Sequence, residues 1–430
     1  MTHPAGEPTA SRRAFLKTST TAAVAGAFAA NLTVARSAHA AGSDVLKVGL
    51  IGCGGRGTGA AAQALTADQN VKLTAMGDAF ADRLQSSLDN LKKMYADRVA
   101  VTPETCFVGF DAYKQVIDSG VDVVLLASPP HFRPAHLKAA VAAGKHVFAE
   151  KPVAVDAPGV RSVLETCEEA KKKNLAVVSG LCYRYEPPKR ETIARVRDGA
   201  VGDIIAIHTS YNTGALWMHP RKEGWSDMEW QLRNWLYFTW LSGDHNNEQH
   251  IHSLDKAAWA LGDVPPAKAT GLGGRQVRVE AEFGQIFDHH AVVYEYEAGP
   301  KVFAYCRQQP GCSVDVSDYV MGSKGTADIM KHKIKGKDGN WSYRGPTPNM
   351  YQQEHDEMFA SIRSGTPINN GLYMCRSTLM AIMGRMATYT GQTITWDQAM
   401  QSQERLGPTE YSWTALKVDP VAMPGITQFS

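Results

Sequence analysis

The chain has 430 residues, 44% of them apolar and 20% charged. That length allows two or three packed units of ~100–200 residues each, and the composition excludes a disordered polymer, a collagen and a coiled coil. Lys and Arg total 45 against 43 Asp and Glu; four cations and one acid fall in the first forty residues, leaving a body of net charge −1. So neutral a body exerts no long-range pull on phosphate backbones or anionic lipid, and nucleic acid and membrane surfaces are not expected partners.

Residues 1–40 read as an export label. Ser11-Arg12-Arg13-Ala14-Phe15-Leu16-Lys17 precedes a weakly apolar run from Thr18 to Val34, and Ala38-His39-Ala40 offers a small-x-small cleavage site. The paired arginines with Phe and Leu behind them resemble a twin-arginine signal. The mature protein is therefore expected to be soluble and periplasmic, or otherwise exported. No later run supplies the ~20 apolar residues of a membrane-spanning helix. The seven cysteines are scattered with no CxxC pair, which predicts free thiols without structural disulfides.

After the label, Val45 to Ile51 predicts a buried strand that runs into Gly52-Cys53-Gly54-Gly55-Arg56-Gly57 and an Ala-rich helix. A GxGxxG placed between strand and helix predicts a dinucleotide site. Its first glycine permits the tight turn, the second admits the pyrophosphate and the third lets the helix pack. Gly55 and Arg56 belong to the same candidate turn. A second strand, Val71 to Met76, ends at Gly77-Asp78, where a carboxylate suits the ribose hydroxyls and repels a 2′-phosphate, which favours NAD over NADP. Arg83 follows within a helical pattern and is expected to be solvated.

Two further buried strands, Val121 to Ala127 and Lys145 to Ala149, end in Ser128-Pro129-Pro130-His131 and Glu150-Lys151-Pro152. Strand alternating with helix predicts a doubly wound parallel sheet, with both tips at the carboxyl edge where ligands bind. Ser128, Pro130, His131, Glu150 and Lys151 therefore join the cofactor candidates. From about residue 165 the pattern changes to strands at Ile204 to Tyr211, His290 to Tyr296, Lys301 to Arg307 and Gly325 to Met330, followed by helical runs. These predict a second α/β domain with a large, mainly antiparallel sheet. The expected divisions are 45–165, 166–417 and a C-terminal arm, 418–430.

The glycine turn, Asp78, the Pro-Pro-His tip and Lys145-His146-Val147-Phe148-Ala149-Glu150-Lys151-Pro152 together resemble the glucose–fructose oxidoreductase/inositol dehydrogenase (Gfo/Idh/MocA) family. The resemblance implies a Rossmann domain, an open-sheet second domain, NAD(P) chemistry on sugars and polyols, and a homo-oligomer, dimer or tetramer. A second family motif appears as Glu248-Gln249-His250-Ile251-His252-Ser253-Leu254-Asp255. On one helix Glu248 and His252 share a face. The resemblance implies His252 as catalytic acid/base and Lys151 as its cationic partner, with Glu248 where the family usually carries Asp. Arg184, Tyr185 and Asp255 are the implied substrate contacts.

The chemistry can be argued from the residues as well. Oxidising a carbinol requires removal of the hydroxyl proton, for which His is the usual base, and a cation beside the developing alkoxide. Five tryptophans between Asn212 and Gly243 suggest a carbohydrate-lined pocket, with Arg233 and Trp235 as contacts. His245, His250 and His252 match no closed metal-site spacing, and no metal is expected. Two activities stay open: net oxidation of a secondary hydroxyl of a sugar or glycoside, or an NAD-dependent glycosidase with no net redox change.

Overall fold

The computed structural model describes residues 44–337 and 339–429, so the export label read at 1–40 lies outside it. β1 (Leu46–Ile51) is buried except at Lys47, as expected of a strand covered on both faces. It leads into α1 (Gly55–Ala67), whose Ala60, Ala61, Ala64 and Leu65 are buried; the small side chains let the helix lie close to the sheet. Then β2 (Val71–Asp78), α2 (Ala81–Met94), β3 (Cys106–Val108), α3 (Ala112–Asp118), β4 (Val123–Leu126), α4 (Arg133–Ala142) and β5 (His146–Ala149) alternate. α5 (Ala157–Lys172) begins at Asp156, whose carboxylate accepts from the Gly159 amide, and ends in Lys171 and Lys172. Acceptor and cations each suit their end of the helix.

α5 returns the chain to β6 (Val177–Ser179), completing a parallel sheet of order β3-β2-β1-β4-β5-β6. The division expected at 165 therefore falls inside α5. A parallel strand is reached only through a crossover, so α5 and β6 belong with the first sheet. The strand order reverses between β1 and β4, the switch point at which such sheets bind ligands.

α6 (Pro187–Arg197) leads to β7 (Ile204–Thr213), the short helices α7 (Asp227–Arg233), α8 (Thr239–Ser242) and α9 (His245–Glu248), and α10 (Ile251–Ala260). The second sheet gathers β7, β8 (Lys268–Gly274), β9 (His289–Glu295), β10 (Lys301–Gln308), β11 (Asp315–Gly322), β12 (Gly325–Asp328), β13 (Lys333–Gly336) and β14 (Gly339–Ser342). After α11 (Met350–Arg363) and α12 (Gly371–Thr390), β15 (Ile394–Thr395) adds an edge and α13 (Trp396–Gln401) ends the regular structure. The order is β14-β13-β12-β11-β7-β10-β9-β8-β15, with β7 and β10 parallel and the other pairs antiparallel.

β10 alternates as a half-covered strand must: Val302, Ala304, Cys306 and Gln308 are buried. Helices α10 and α12 pack on the inner face, while Ile205, Tyr305, Tyr319 and Met321 are exposed. This is the α/β architecture expected, a doubly wound parallel sheet plus a mainly antiparallel open one. From Ser402 to Phe429 there is neither helix nor strand, so the irregular arm begins well before residue 418. No described helix is long and apolar enough to cross a membrane, and all seven cysteines are free thiols.

Candidate active site

The glycine turn is built by close approach. Gly52 has φ +95°, a region costly for any side chain, and a Cβ there would lie 2.4 Å from the Ser128 amide nitrogen. A Cβ on Gly57 would sit 1.8 Å from the Gly52 carbonyl oxygen, so the first turn of α1 rests directly on the loop. Gly54 and Gly55 face open space, with the Arg83 guanidinium 3.8 Å from a Gly54 Cβ and nothing within 4 Å of one on Gly55. Room above the N-terminus of a helix, where amides lack carbonyl partners, is a cradle for phosphate.

Asp78 closes one side of this cradle. Its carboxylate accepts the Cys53 amide at 2.6 Å and the Phe80 amide at 2.9 Å. Burial raises its pKa, against the pull of those two bonds. Gly52, Gly54, Asp78, Ser128 and Pro129 line a crevice with Phe80, Arg83, Phe110, Phe132, Leu232 and Trp235. Mostly apolar walls, one carboxylate and an open glycine turn fit an adenine dinucleotide.

At the carboxyl edge of β5, the Lys151–Pro152 peptide is cis. Lys151 Nζ donates to Glu248 Oε1 at 2.8 Å and to the Glu248 carbonyl at 2.5 Å, with side chains only 14% and 11% exposed. α9, which carries Glu248, is anchored at its start by the buried carboxylate of Asp244. That group accepts from the amides of His245 and Phe287, from Tyr389 and from His290. Burial alone would raise its pKa, but His290 and the accepted bonds hold it well below the usual carboxylate range.

Glu248 ends α9 and His252 lies in the first turn of α10. They do not share one helix face as the spacing suggested; a turn at Gln249-His250 separates the two helices. The imidazole of His252 is buried, with Nδ1 unpartnered. Its pKa is driven well below the ordinary value by burial first and then by Lys151, Lys256 and Arg56. The neutral ring stands edge-on to Tyr183, centroids 5.3 Å apart, and Tyr183 in turn carries the Lys256 ammonium 4.1 Å from its ring centroid.

Several expected contacts are occupied elsewhere. Arg56, partly exposed, pairs with the buried carboxylates of Glu150 and Glu354 and lies over the Tyr351 ring, and neither Arg56 nor Glu150 is among the residues lining the crevice. Gly55 borders the adjoining groove rather than the crevice. Pro130 is buried and does not line the crevice, and His131 Nε2 meets the Tyr411 hydroxyl at 2.7 Å. Tyr185 donates to Asn370 Oδ1. Arg233 pairs with Asp82 and Glu229 at the outer rim, above the Phe80 ring. Trp235, expected as a sugar contact, lines the dinucleotide crevice. The tryptophan-rich stretch packs mainly as a small apolar core of Leu236, Tyr237, Phe238 and Trp240 with Phe80. His250 is held by Thr209 and Asn246, and no three His, Cys, Asp or Glu side chains form a metal site among the described residues.

Arg184 and Asp255, expected as substrate contacts, form a buried ion pair with each other. The guanidinium binds Asp255 and Asp263 and stacks 3.9 Å from the Tyr373 ring centroid, while Ser377 donates to Asp255. Arg184→Ala is expected to lower unfolding free energy by about 3–5 kcal/mol, because the buried Asp255 and the partly exposed Asp263 lose their cation. Urea denaturation measures this; unchanged stability with a raised KM would return Arg184 to the substrate site.

Sequence reasoning missed Phe80, Phe110, Phe132 and Leu232 as crevice walls, and set Arg83 aside as solvated. Each follows the end of a strand or lies on a short helix, but without periodicity to mark it. The distant partners that bring them together are visible only in the fold.

The profile of the Gfo/Idh/MocA oxidoreductase family, with its NAD-binding Rossmann fold, matches residues 46–179. The chain is 24% identical over 245 residues to the 2,7-anhydro-N-acetylneuraminate hydratase of Escherichia coli (strain K12), covering 57% of this chain and 60% of that protein. It is 24% identical over 360 residues to a glycosyl hydrolase family 109 protein of Shewanella amazonensis, covering 80% of this chain and 71% of that one. The chain thus spans about three-fifths of the first of these relatives. The aldose–aldose oxidoreductase of Caulobacter crescentus shares the fold, with a TM-score of 0.63 and 19% identity over 82% of this chain and 99% of that one. With the glycine turn, Asp78 and the strand order in agreement, residues 46–179 form a Rossmann sheet that matches the NAD-binding domain of the Gfo/Idh/MocA oxidoreductase family.

Proposed function

We propose that the protein is an exported NAD-dependent oxidoreductase acting on a secondary hydroxyl of a sugar or glycoside, with the dinucleotide tightly held. The observation that carries this is the Lys151–Glu248 pair at the carboxyl edge of the sheet, beside a glycine turn open enough for phosphate, with the buried His252 close enough to feel the Lys151 charge. The paired arginines near the N-terminus support export, and scarce free NAD outside the cytoplasm favours a retained cofactor.

When bound, the nicotinamide supplies the hydride-accepting ring. The Lys151 ammonium, aimed by Glu248, stabilises negative charge on the substrate oxygen. Neutral His252 takes the hydroxyl proton, and its burial among the Lys151, Lys256 and Arg56 charges favours that uncharged resting form. The second reading, transient oxidation with elimination and no net redox change, is favoured by the carboxylate of Glu248 at the Lys151 ammonium, where an acid–base group can serve elimination. Two relatives, a hydratase and a glycosyl hydrolase family protein, point the same way.

Both readings are tested by denaturing purified protein, identifying released nucleotide by mass, and incubating intact protein with a glycoside panel. Released NAD and keto-sugar products are expected. Glycoside cleavage without net change in nicotinamide absorbance selects the second reading, and protein that neither carries nor takes up dinucleotide sinks both.

A further inference from the structure

The irregular segment after α13 does not trail away from the molecule. Its Leu406 amide donates to Asp156 Oδ2 at 3.0 Å. Gly407, at φ +93°, passes so close to Trp240 and His131 that a Cβ would lie 2.8 Å from the indole. Tyr411 bonds His131 through its hydroxyl and stacks on Phe110, centroids 5.5 Å apart. Trp413 stacks on Phe110 at 4.6 Å and meets Phe80 at 5.5 Å. The segment then docks on α7: the Met228 amide donates to the Thr414 carbonyl, Gln231 Nε2 to the Leu416 carbonyl, and the Leu416 amide to Asp227.

The rings on which this segment stacks, Phe80, Phe110 and Phe132, are walls of the dinucleotide crevice, as is Leu232 at the end of α7. One stretch of chain therefore ties the lips that follow β2, β3 and β4 to the α7 flap of the second domain. It is held by ring contacts and a few hydrogen bonds, with no strand pairing, so it can be released without dismantling either sheet.

We infer that residues 404–418 are a strap that retains the dinucleotide by fastening both lips of its crevice. This rests on the dinucleotide reading above and adds the element responsible for retention. Leaving the crevice requires its walls to part, and they part only when Tyr411 and Trp413 let go. The strap thus sets the rate of exchange more than the contacts made to the dinucleotide in place.

The test uses the whole chain. Wild type, Tyr411→Ala/Trp413→Ala and Gln231→Ala are loaded with NAD, desalted and diluted into isotopically labelled NAD, and bound nucleotide is weighed over time. The double variant is expected to exchange roughly tenfold faster or more, since a strap acts on the dissociation rate, while its nucleotide-free melting stays close to wild type. Gln231→Ala removes the donor to the Leu416 carbonyl and, with it, the acceptor of the Trp240 indole N–H; it is expected to show a smaller acceleration and serves if the double variant fails to fold. Exchange at the wild-type rate in folded variants overturns the strap while leaving the dinucleotide reading intact. A wild type that takes up no NAD overturns both.

Discussion

Lys151→Met is expected to lower kcat/KM for a converted carbohydrate by roughly 10³-fold or more, with NAD content unchanged, because the cation that stabilises the developing alkoxide is lost. Methionine preserves the length and apolar stem of lysine, so packing beside Glu248 changes little while the charge disappears. His252→Ala is expected to lower kcat/KM by about 10²–10⁴-fold, the usual worth of a positioned general base. The two variants differ in pH behaviour. After burial, Lys151 is the first charge that depresses the His252 pKa. Removing it lifts that pKa, so protonation disables the base at a higher pH and the acid limb of kcat/KM moves upward. Steady-state kinetics against pH would show this. An acid limb in Lys151→Met that stays at or falls below the wild-type position would separate the two residues and defeat the shared site.

Gly57→Ala is expected to abolish measurable dinucleotide binding. The added methyl would lie 1.8 Å from the Gly52 carbonyl oxygen, so either α1 retreats or the turn opens. Both move the helix N-terminus away from the place where phosphate is held. Overpacking of this kind costs about 1–3 kcal/mol of stability as well. Gly55→Ala is the control for folding, since its Cβ meets nothing within 4 Å, and it is expected to melt like wild type. Calorimetric titration with NAD, together with thermal melting, distinguishes lost binding from lost structure. Wild-type affinity in Gly57→Ala would show that the turn does not cradle the pyrophosphate.

The contrast between these positions and Arg184, Asp255 and Arg56 shows what kind of information a linear chain carries. The glycine turn, Asp78 and the strands around them are local: turn, strand and helix signals lie within about thirty residues, so chemistry and spacing are read together. Lys151 and His252 were singled out through motifs, each at the end of a strand or the start of a helix. Arg184 and Asp255 stood in equally suggestive places, yet their charges are spent on each other and on Asp263. Arg56 likewise turns from the glycine turn to Glu150 and Glu354. Nothing in the residues from 350 onward announces a carboxylate waiting for that guanidinium.

By itself the sequence determined the dinucleotide turn, the alternation that makes a parallel sheet, and the change to an antiparallel one, because these depend on backbone conformation and on periodic burial over short stretches. Tertiary structure alone decided which polar groups are left for chemistry and which neutralise one another. It also decided that aromatic residues from 80, 110, 411 and 413 meet at one rim. The physical reason is that charge pairing and ring stacking act through space over a few ångströms, whereas the partners are separated by up to hundreds of residues along the chain.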